Sequence, residues 1–309
     1  MNGPVDVVVI GPIYSDTVFA GLTRLPLAGE EVAAGEVGWA PGGYAISALA
    51  FQRLGLNTVL CGEVGEDLYG NALLTAFRRE GLPTQRVKQD PDTHTNLAVT
   101  LNWDGDRGIV SYGRSETAPL AWYEETLREA GAGAVLYLSA RHPHAKPLAV
   151  LARSLSQEVA LSLSWHPEFL TSWALRDLLP LADMLFCNVP EALLVTQESQ
   201  HEQAGAVLAE SVPEVVVTRG AEGARAWEHG RVLSAPARPV VLVDATGAGD
   251  VFSATYVAAR RWGWTAERRL AAANWAAGHA IGSIGGGSSS PTREILLKGL
   301  EGASHAEVG

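Results

Sequence analysis

Asp250 ends a run, Asp244-Ala-Thr-Gly247-Ala-Gly249-Asp250, whose residue types suit chemistry on a phosphate. Gly247, Ala248 and Gly249 carry almost no side chain, so a ligand can come close to their backbone. At the start of a helix such N–H groups point outward, and the helix dipole strengthens their pull on an anion. A carboxylate in the same place repels phosphate. It makes sense instead as a base beside the phosphate, taking the proton of an attacking hydroxyl. Asp250 next to these amides therefore points to phosphoryl transfer to an alcohol. The same residues also fit a bare turn with aspartate as a helix cap, and alone they do not separate the two readings.

The elements around this turn belong to an α/β pattern. Val240 to Val243 is a short apolar run that predicts a buried strand leading into it, with a helical pattern after Asp250. Val5 to Ile10 predicts a first buried strand, and Asp16 follows shortly after its end. Pro41-Gly42-Gly43 opens a helical run stopped by Gly55, Thr58 to Gly62 reads as a strand, and Asp67 caps a helix that reaches Glu80. Further on, strands are expected at 134–139, 159–164, 184–187 and 214–218, with helices at 145–157, 173–179, 190–197 and 203–211. Such alternation implies a mostly parallel sheet with helices on both faces. Two segments break the pattern. Residues 12–40 are glycine-punctuated short strands, and 93–116 has period two around Asp104-Gly105, a hairpin signal. Together they predict one small sheet projecting from the edge of the large one, within a single domain spanning 1–309.

Composition limits the partners. The chain has 309 residues, 47% of them hydrophobic and 18% charged, which describes a folded globule with ample core. A net charge of −11 argues against nucleic-acid or anionic-membrane partners. Any bound polyphosphate must then be held by amides, a metal and a few arginines. Cys61 and Cys187 lie in apolar runs and read as buried thiols. With no basic leader and no stretch long enough to span a bilayer, a soluble cytoplasmic protein is expected.

Six motifs in order give the chain a family resemblance over essentially its whole length. Gly42-Gly43 runs through Leu54-Gly55; Gly62-Glu-Val-Gly65-Glu-Asp67-Leu-Tyr-Gly70 follows; then come Asn188-Val-Pro-Glu191 and Val217-Thr218-Arg-Gly220-Ala-Glu-Gly223. The Asp244 to Asp250 run is fifth, with Ala245 where the signature has Thr, and Ala273-Asn274 with Gly285 to Pro291 is the last. In this the chain resembles the ribokinase-like (PfkB) carbohydrate and nucleoside kinases. The resemblance implies the ribokinase-like α/β fold with a small β-sheet lid, and transfer of the γ-phosphoryl group of ATP to a small sugar, sugar acid or nucleoside. It implies Asp250 as base, with Gly247, Ala248 and Gly249 as the anion hole. Asp16, Gly42, Gly43 and Ser47 would meet the acceptor, and Tyr112 and Arg114 resemble a Tyr-x-Arg of some keto-sugar-acid kinases, although packing and surface charge also explain that pair. Asn188 and Glu191 would hold Mg²⁺ through water, unless they only start a helix with Pro190. Thr218, Gly220, Gly223 and Asn274 would line the nucleotide, with Arg219 either a phosphate contact or a solvated charge. Asp244, Thr246, Gly285 and Ser289 match positions that bind a monovalent cation, usually potassium, in some relatives. A homodimer through the lid is a further expectation.

The departures bear on the acceptor. Ser47 stands where ribokinases commonly have Asn, Tyr44 and Ile46 make this helix start bulkier, and Leu161-Ser-Leu-Ser-Trp165-His166 lacks an aspartate found in many sugar kinases. Other chemistries fit poorly. The chain has no P-loop motif, no glycine fingerprint for a dinucleotide after Gly11, and no third ligand beside His142 and His144, which read as surface or loop histidines. A kinase-derived protein that binds ligand without turnover is the second function class, disfavoured by the intact Asp250 turn.

Overall fold

Val7 to Ile10 are wholly buried, so β1 (Val7–Ile10) must be covered on both faces, and the apolar run in the sequence says as much. The structure is a computed structural model that describes residues 3–103, 106–114, 116–283 and 289–306. Among these, nine strands form the large sheet. Their order is β13 (Arg231–Ala235), β12 (Ala224–Glu228), β11 (Glu214–Thr218), β10 (Met184–Asn188), β9 (Glu158–Ser162), β8 (Val135–Ser139), β1, β4 (Thr58–Gly65) and β5 (Val87–Asp90). Neighbours are parallel except at the β11–β12–β13 edge.

Alternate residues of β1 enter different cores. Val7 and Val9 pack with α1 (Tyr44–Arg53), α2 (Leu68–Arg79), α9 (Ala248–Arg261), α10 (Ala266–Ala280) and α11 (Arg293–Ala306). Val8 and Ile10 pack with α3 (Leu120–Ala130), α4 (Ala145–Ser154), α5 (Pro167–Leu170), α6 (Trp173–Leu178), α7 (Val189–Thr196) and α8 (His201–Ala209). β1 lies between β4 and β8, so the chain moves away from it in opposite directions. In an open α/β sheet such a switch leaves a crevice outside the carboxyl ends of the strands.

The two interrupting segments meet in one four-stranded sheet: β3 (Glu36–Gly43), β2 (Ile13–Leu22), β6 (Asn96–Trp103) and β7 (Asp106–Tyr112). The outer pairs are antiparallel, while β2 and β6 run parallel. The expected Asp104-Gly105 turn lies outside the described residues. This sheet does not leave from the lateral edge alone, as the sequence suggested. One excursion starts directly after β1, inside the large sheet, and the other after β5. Asn96 ties both together, donating to the Ile13 carbonyl at 3.1 Å and accepting from the Arg114 N–H at 2.8 Å. Asp67 caps α2 as expected and also accepts from Thr95, while Glu63 accepts from Thr117, so carboxylates pin both ends of the second excursion.

One expected strand is absent. Val240 to Val243 form no ladder, and Val241 is 83% exposed. Pro236 and Pro239 cannot donate ladder hydrogen bonds, so β13 ends the sheet, and the Val243 and Asp244 N–H groups both turn to the Ile281 carbonyl. An apolar run reads the same whether it fills a core or walls a cleft, and here it walls a cleft. His142 lies in the loop between β8 and α4, one of its two expected placements, and the other is overturned. Its side chain is fully buried, bonded to Glu116 at 2.5 Å, not at the surface, and Tyr123 donates to the same carboxylate oxygen at 2.6 Å. Its Nδ1 accepts from the His144 N–H, so the proton sits on Nε2 and points at Glu116.

Candidate active site

The turn before α9 is shaped by Gly247, which is left-handed at φ 77° and serves as the helix cap residue. Gly249 is different: its φ is ordinary, and a Cβ built on it meets no atom within 4 Å. Nothing inside the fold requires glycine there, which leaves room for a ligand as the reason. The Ala248 N–H is directed at the Ala245 carbonyl at 3.3 Å, a long bond, while the Gly247 and Gly249 N–H groups have no partner among the described residues. Of the three amides expected to form an anion hole, those of Gly247 and Gly249 are therefore the open ones among the described residues.

Ala248 and Gly249 line a cleft of about 580 Å³. Its walls include Thr218, Gly220 and Gly223 from the β11–β12 turn, Val240 and Leu242 from the run that is not a strand, and Asn274 from α10. Most of these groups are small or apolar, as a flat aromatic ligand needs. Asn274 spends its amide N–H groups on the Ala235 and Pro236 carbonyls, so it shapes the wall rather than reading a ligand with them. Gly223 is glycine for an internal reason: a Cβ there would lie 2.1 Å from the Ala235 carbonyl oxygen. Arg219 is paired with Glu222 through its carboxylate and its carbonyl and does not line the cleft; its side chain is only 14% exposed, so it is not the solvated charge of the alternative reading either.

On the other side of the turn stand two acids. Asp250 is half-buried in the first turn of α9, and burial pushes its carboxyl up to about 7. Hydrogen bonds from Ser47 and its own backbone pull it down, and the Glu191 charge pushes it up. Asp16 projects from β2, and burial, with the charges of Asp250 and Asp244, raises its carboxyl to about 7 as well. Its Oδ1 is buried with no hydrogen-bond partner. Gly42 makes this placement possible, because a Cβ at 42 would lie 2.1 Å from the Asp16 carboxylate. Gly43, at φ +59°, likewise yields to the Pro12 carbonyl and the Tyr14 ring. The two glycines thus admit Asp16 and the start of β2.

Asn188 and Glu191 form a reciprocal capping box at α7: each side chain accepts the other's backbone N–H at 2.9 Å. The helix-start reading is thereby realised, and it occupies one oxygen of each side chain. Burial raises the Glu191 carboxyl, and its charge acts on Asp250, so its carboxylate belongs to the same pocket. Buried Asp244 accepts from the Thr246 N–H at 2.9 Å, and the Thr246 hydroxyl oxygen is buried with no partner among the described residues. Ser289 is half-buried in the segment before α11, and Gly285 lies outside the described residues. Arg114 is exposed, and its guanidinium bonds the Asp92 carbonyl at 3.4 Å rather than Asp16. Among the described residues no three histidine, cysteine or acidic side chains gather as a metal cluster, and both cysteines are free and buried.

Sequence reasoning missed the floor under the two acids. Tyr44 lies across Gly11, where a Cβ would come within 2.4 Å of its ring, and donates to the Ser162 carbonyl at 3.2 Å. Tyr137 meets Ser253 at 2.7 Å. Tyr44 reads from the sequence only as bulk at the helix start, and Tyr137, within a buried apolar strand, carries no signal for such a role except that its hydroxyl needs a partner.

The fold has counterparts among known proteins. Ribokinase from Bacillus subtilis is 28% identical over 290 residues, covering 93% of this chain and 97% of the relative. The structure of Arabidopsis thaliana ribokinase complexed with ribose and ATP superposes with a TM-score of 0.80 at 26% identity, covering 96% of this chain and 99% of that one. Burkholderia thailandensis nucleoside kinase in complex with inosine gives a TM-score of 0.77 at 19% identity, covering 96% and 98%, a likeness of fold. The model of the pfkB family carbohydrate kinases matches residues 6–293, and the chain belongs to that family.

Proposed function

We propose that this chain is an ATP-dependent phosphotransferase that moves the γ-phosphoryl group to a hydroxyl of a small sugar or sugar acid. One observation carries the reading: Asp250 follows Gly249, which lines a nucleotide-sized apolar cleft, and its charge acts on a second buried acid, Asp16. The adenine and ribose occupy the cleft, and the terminal phosphate reaches the Gly247 and Gly249 amides. Asp16, with one unsatisfied oxygen, binds acceptor hydroxyls. Asp250 takes the acceptor's proton as the new O–P bond forms, and the amides hold charge on the transferred group. The second carboxylate oxygen of Glu191 suits Mg²⁺ carried largely by water; bound there, the ion would offset phosphate charge. The buried, unpartnered Thr246 hydroxyl beside Asp244 favours the potassium expectation, which a comparison of turnover in potassium and sodium buffers tests.

The small sheet acts as a lid. Its inner face carries Asp16, while Phe19, Val37, Trp39, Val110 and Tyr112 share the opposite face by register and are exposed. That apolar outer face is the surface through which two copies would pair, a point that light scattering on the purified chain decides.

The test is ADP release in a coupled assay with MgATP and a panel of D-ribose, D-fructose, a sugar acid and inosine. Turnover with a sugar or sugar acid is expected. Preference for inosine assigns the chain to nucleosides. Binding of acceptors without ADP release from any of them points to the non-catalytic class.

A further inference from the structure

Ser47 occupies a position where an acceptor contact was expected, yet its side chain is fully buried. Its Oγ donates instead to Oδ1 of Asp250 at 3.1 Å. A second hydroxyl pair lies one turn further along α9. Ser253 Oγ is placed to donate back to the Gly249 carbonyl at 2.9 Å or the Asp250 carbonyl at 3.2 Å. It also meets the Tyr137 hydroxyl at 2.7 Å, a contact in which either oxygen can donate. Tyr137 from β8 thus holds Ser253, and Ser253 holds the first turn of the helix that carries Asp250.

We propose that Ser47 is a positioning residue for phosphoryl transfer: its hydroxyl fixes Oδ1 of Asp250 and leaves Oδ2 to take the acceptor's proton, while Tyr137 and Ser253 fix the backbone from which Asp250 projects. The inference rests on Asp250 being the base. A buried serine could also be present only to satisfy its own hydroxyl, and the two roles differ in what they do to the titration of Asp250.

The charged groups around Asp250 are acids. Glu191 from α7 opposes its ionisation, while the charges of Asp250 and Asp244 in turn raise Asp16 on β2. The phenols of Tyr44 on α1 and Tyr137 on β8 are held above their ordinary range, mainly by burial, and stay neutral. Against these, the Ser47 hydrogen bond favours the carboxylate. Its removal raises the pH at which Asp250 becomes a base.

The experiment is a carboxyl ¹³C NMR titration of the ligand-free full chain, labelled at aspartate, with the Asp250 resonance assigned by its loss in Asp250→Asn. Ser47→Ala is expected to raise the Asp250 midpoint by about one pH unit, and Ser47→Thr, which keeps the hydroxyl, to return it near the parent value. An unmoved midpoint in Ser47→Ala, or an equal rise in Ser47→Thr, overturns the proposal. Thermal melting confirms that each variant is folded. Turnover with MgATP and the best acceptor of the panel tests the wider reading separately. There Ser47→Ala should lower kcat about tenfold, leave the KM for ATP unchanged, and carry the acid limb of the rate profile up with the midpoint. If Asp250→Asn keeps parental turnover, the base assignment fails whatever the titration shows.

Discussion

The cleft side and the acid side of Asp250 are built on different principles. The cleft is made of backbone and apolar surface: two open amides, glycines, and the exposed Val240 and Leu242. The amide N–H groups of Asn274 in its wall are already spent on backbone carbonyls. The acid side is made of buried side chains that oppose one another, with Asp16 and Asp250 both raised to about 7 by burial. A backbone site binds a part common to many ligands and costs the fold little. A site of opposed buried charges is costly to hold, and such a cost is usual where specificity and chemistry reside.

Breaking the acid side at its centre should have the largest effect. Asp250→Asn keeps the shape and removes the base, so turnover should fall by about 10³ while the KM for ATP is unchanged. Steady-state kinetics check this, and a parallel loss of ATP affinity would show that the two sides are not separable.

The cost of the acid side is measurable as stability. In the folded chain Asp16 holds its proton up to about pH 7, whereas an unfolded aspartate loses it near pH 4. Between those values the folded state binds more protons, so stability falls as pH rises and the penalty is complete above pH 7. Asp16→Asn removes that penalty, and should raise unfolding free energy by roughly 2–4 kcal/mol at pH 8 and by almost nothing at pH 4. Denaturant melts at the two pH values decide it. A variant less stable than its parent at pH 8 would falsify the strain assigned to Asp16.

The two sides also differ in how far the sequence discloses them. The glycine turn, the α7 start and the β11–β12 turn are local, and their residue types report their backbone geometry directly. The acid side joins β2, α1, β8 and α9, and Ser47 reaches Asp250 across 203 positions. No spacing rule connects such residues, so Ser47 reads as an acceptor contact until its burial is seen. The fold was legible where strands are apolar runs flanked by turn residues. It was not legible for β13, whose residues are mostly exposed, nor for Val240 to Val243, where an apolar run walls a cleft.

Gly42 sharpens the comparison from the acid side. A methyl group at 42 collides with the Asp16 carboxylate, so Gly42→Ala must displace the acid or the start of α1. The KM for the acceptor should rise about 100-fold, with a smaller change in the KM for ATP.

Gly249 is the matching probe on the cleft side, and its expected effect is smaller and of another kind. A Cβ there touches nothing, its φ is ordinary, and alanine suits the second position of a helix better than glycine. Gly249→Ala should therefore leave stability unchanged or raise it by up to about 1 kcal/mol. Yet the methyl group would project from a residue that lines the cleft, beside the amides proposed to meet the phosphate. The KM for ATP should rise about tenfold while that for the acceptor stays the same. A more stable protein with weaker nucleotide binding is a result that no internal packing role for Gly249 can produce. Unchanged ATP kinetics would move the phosphate away from this turn.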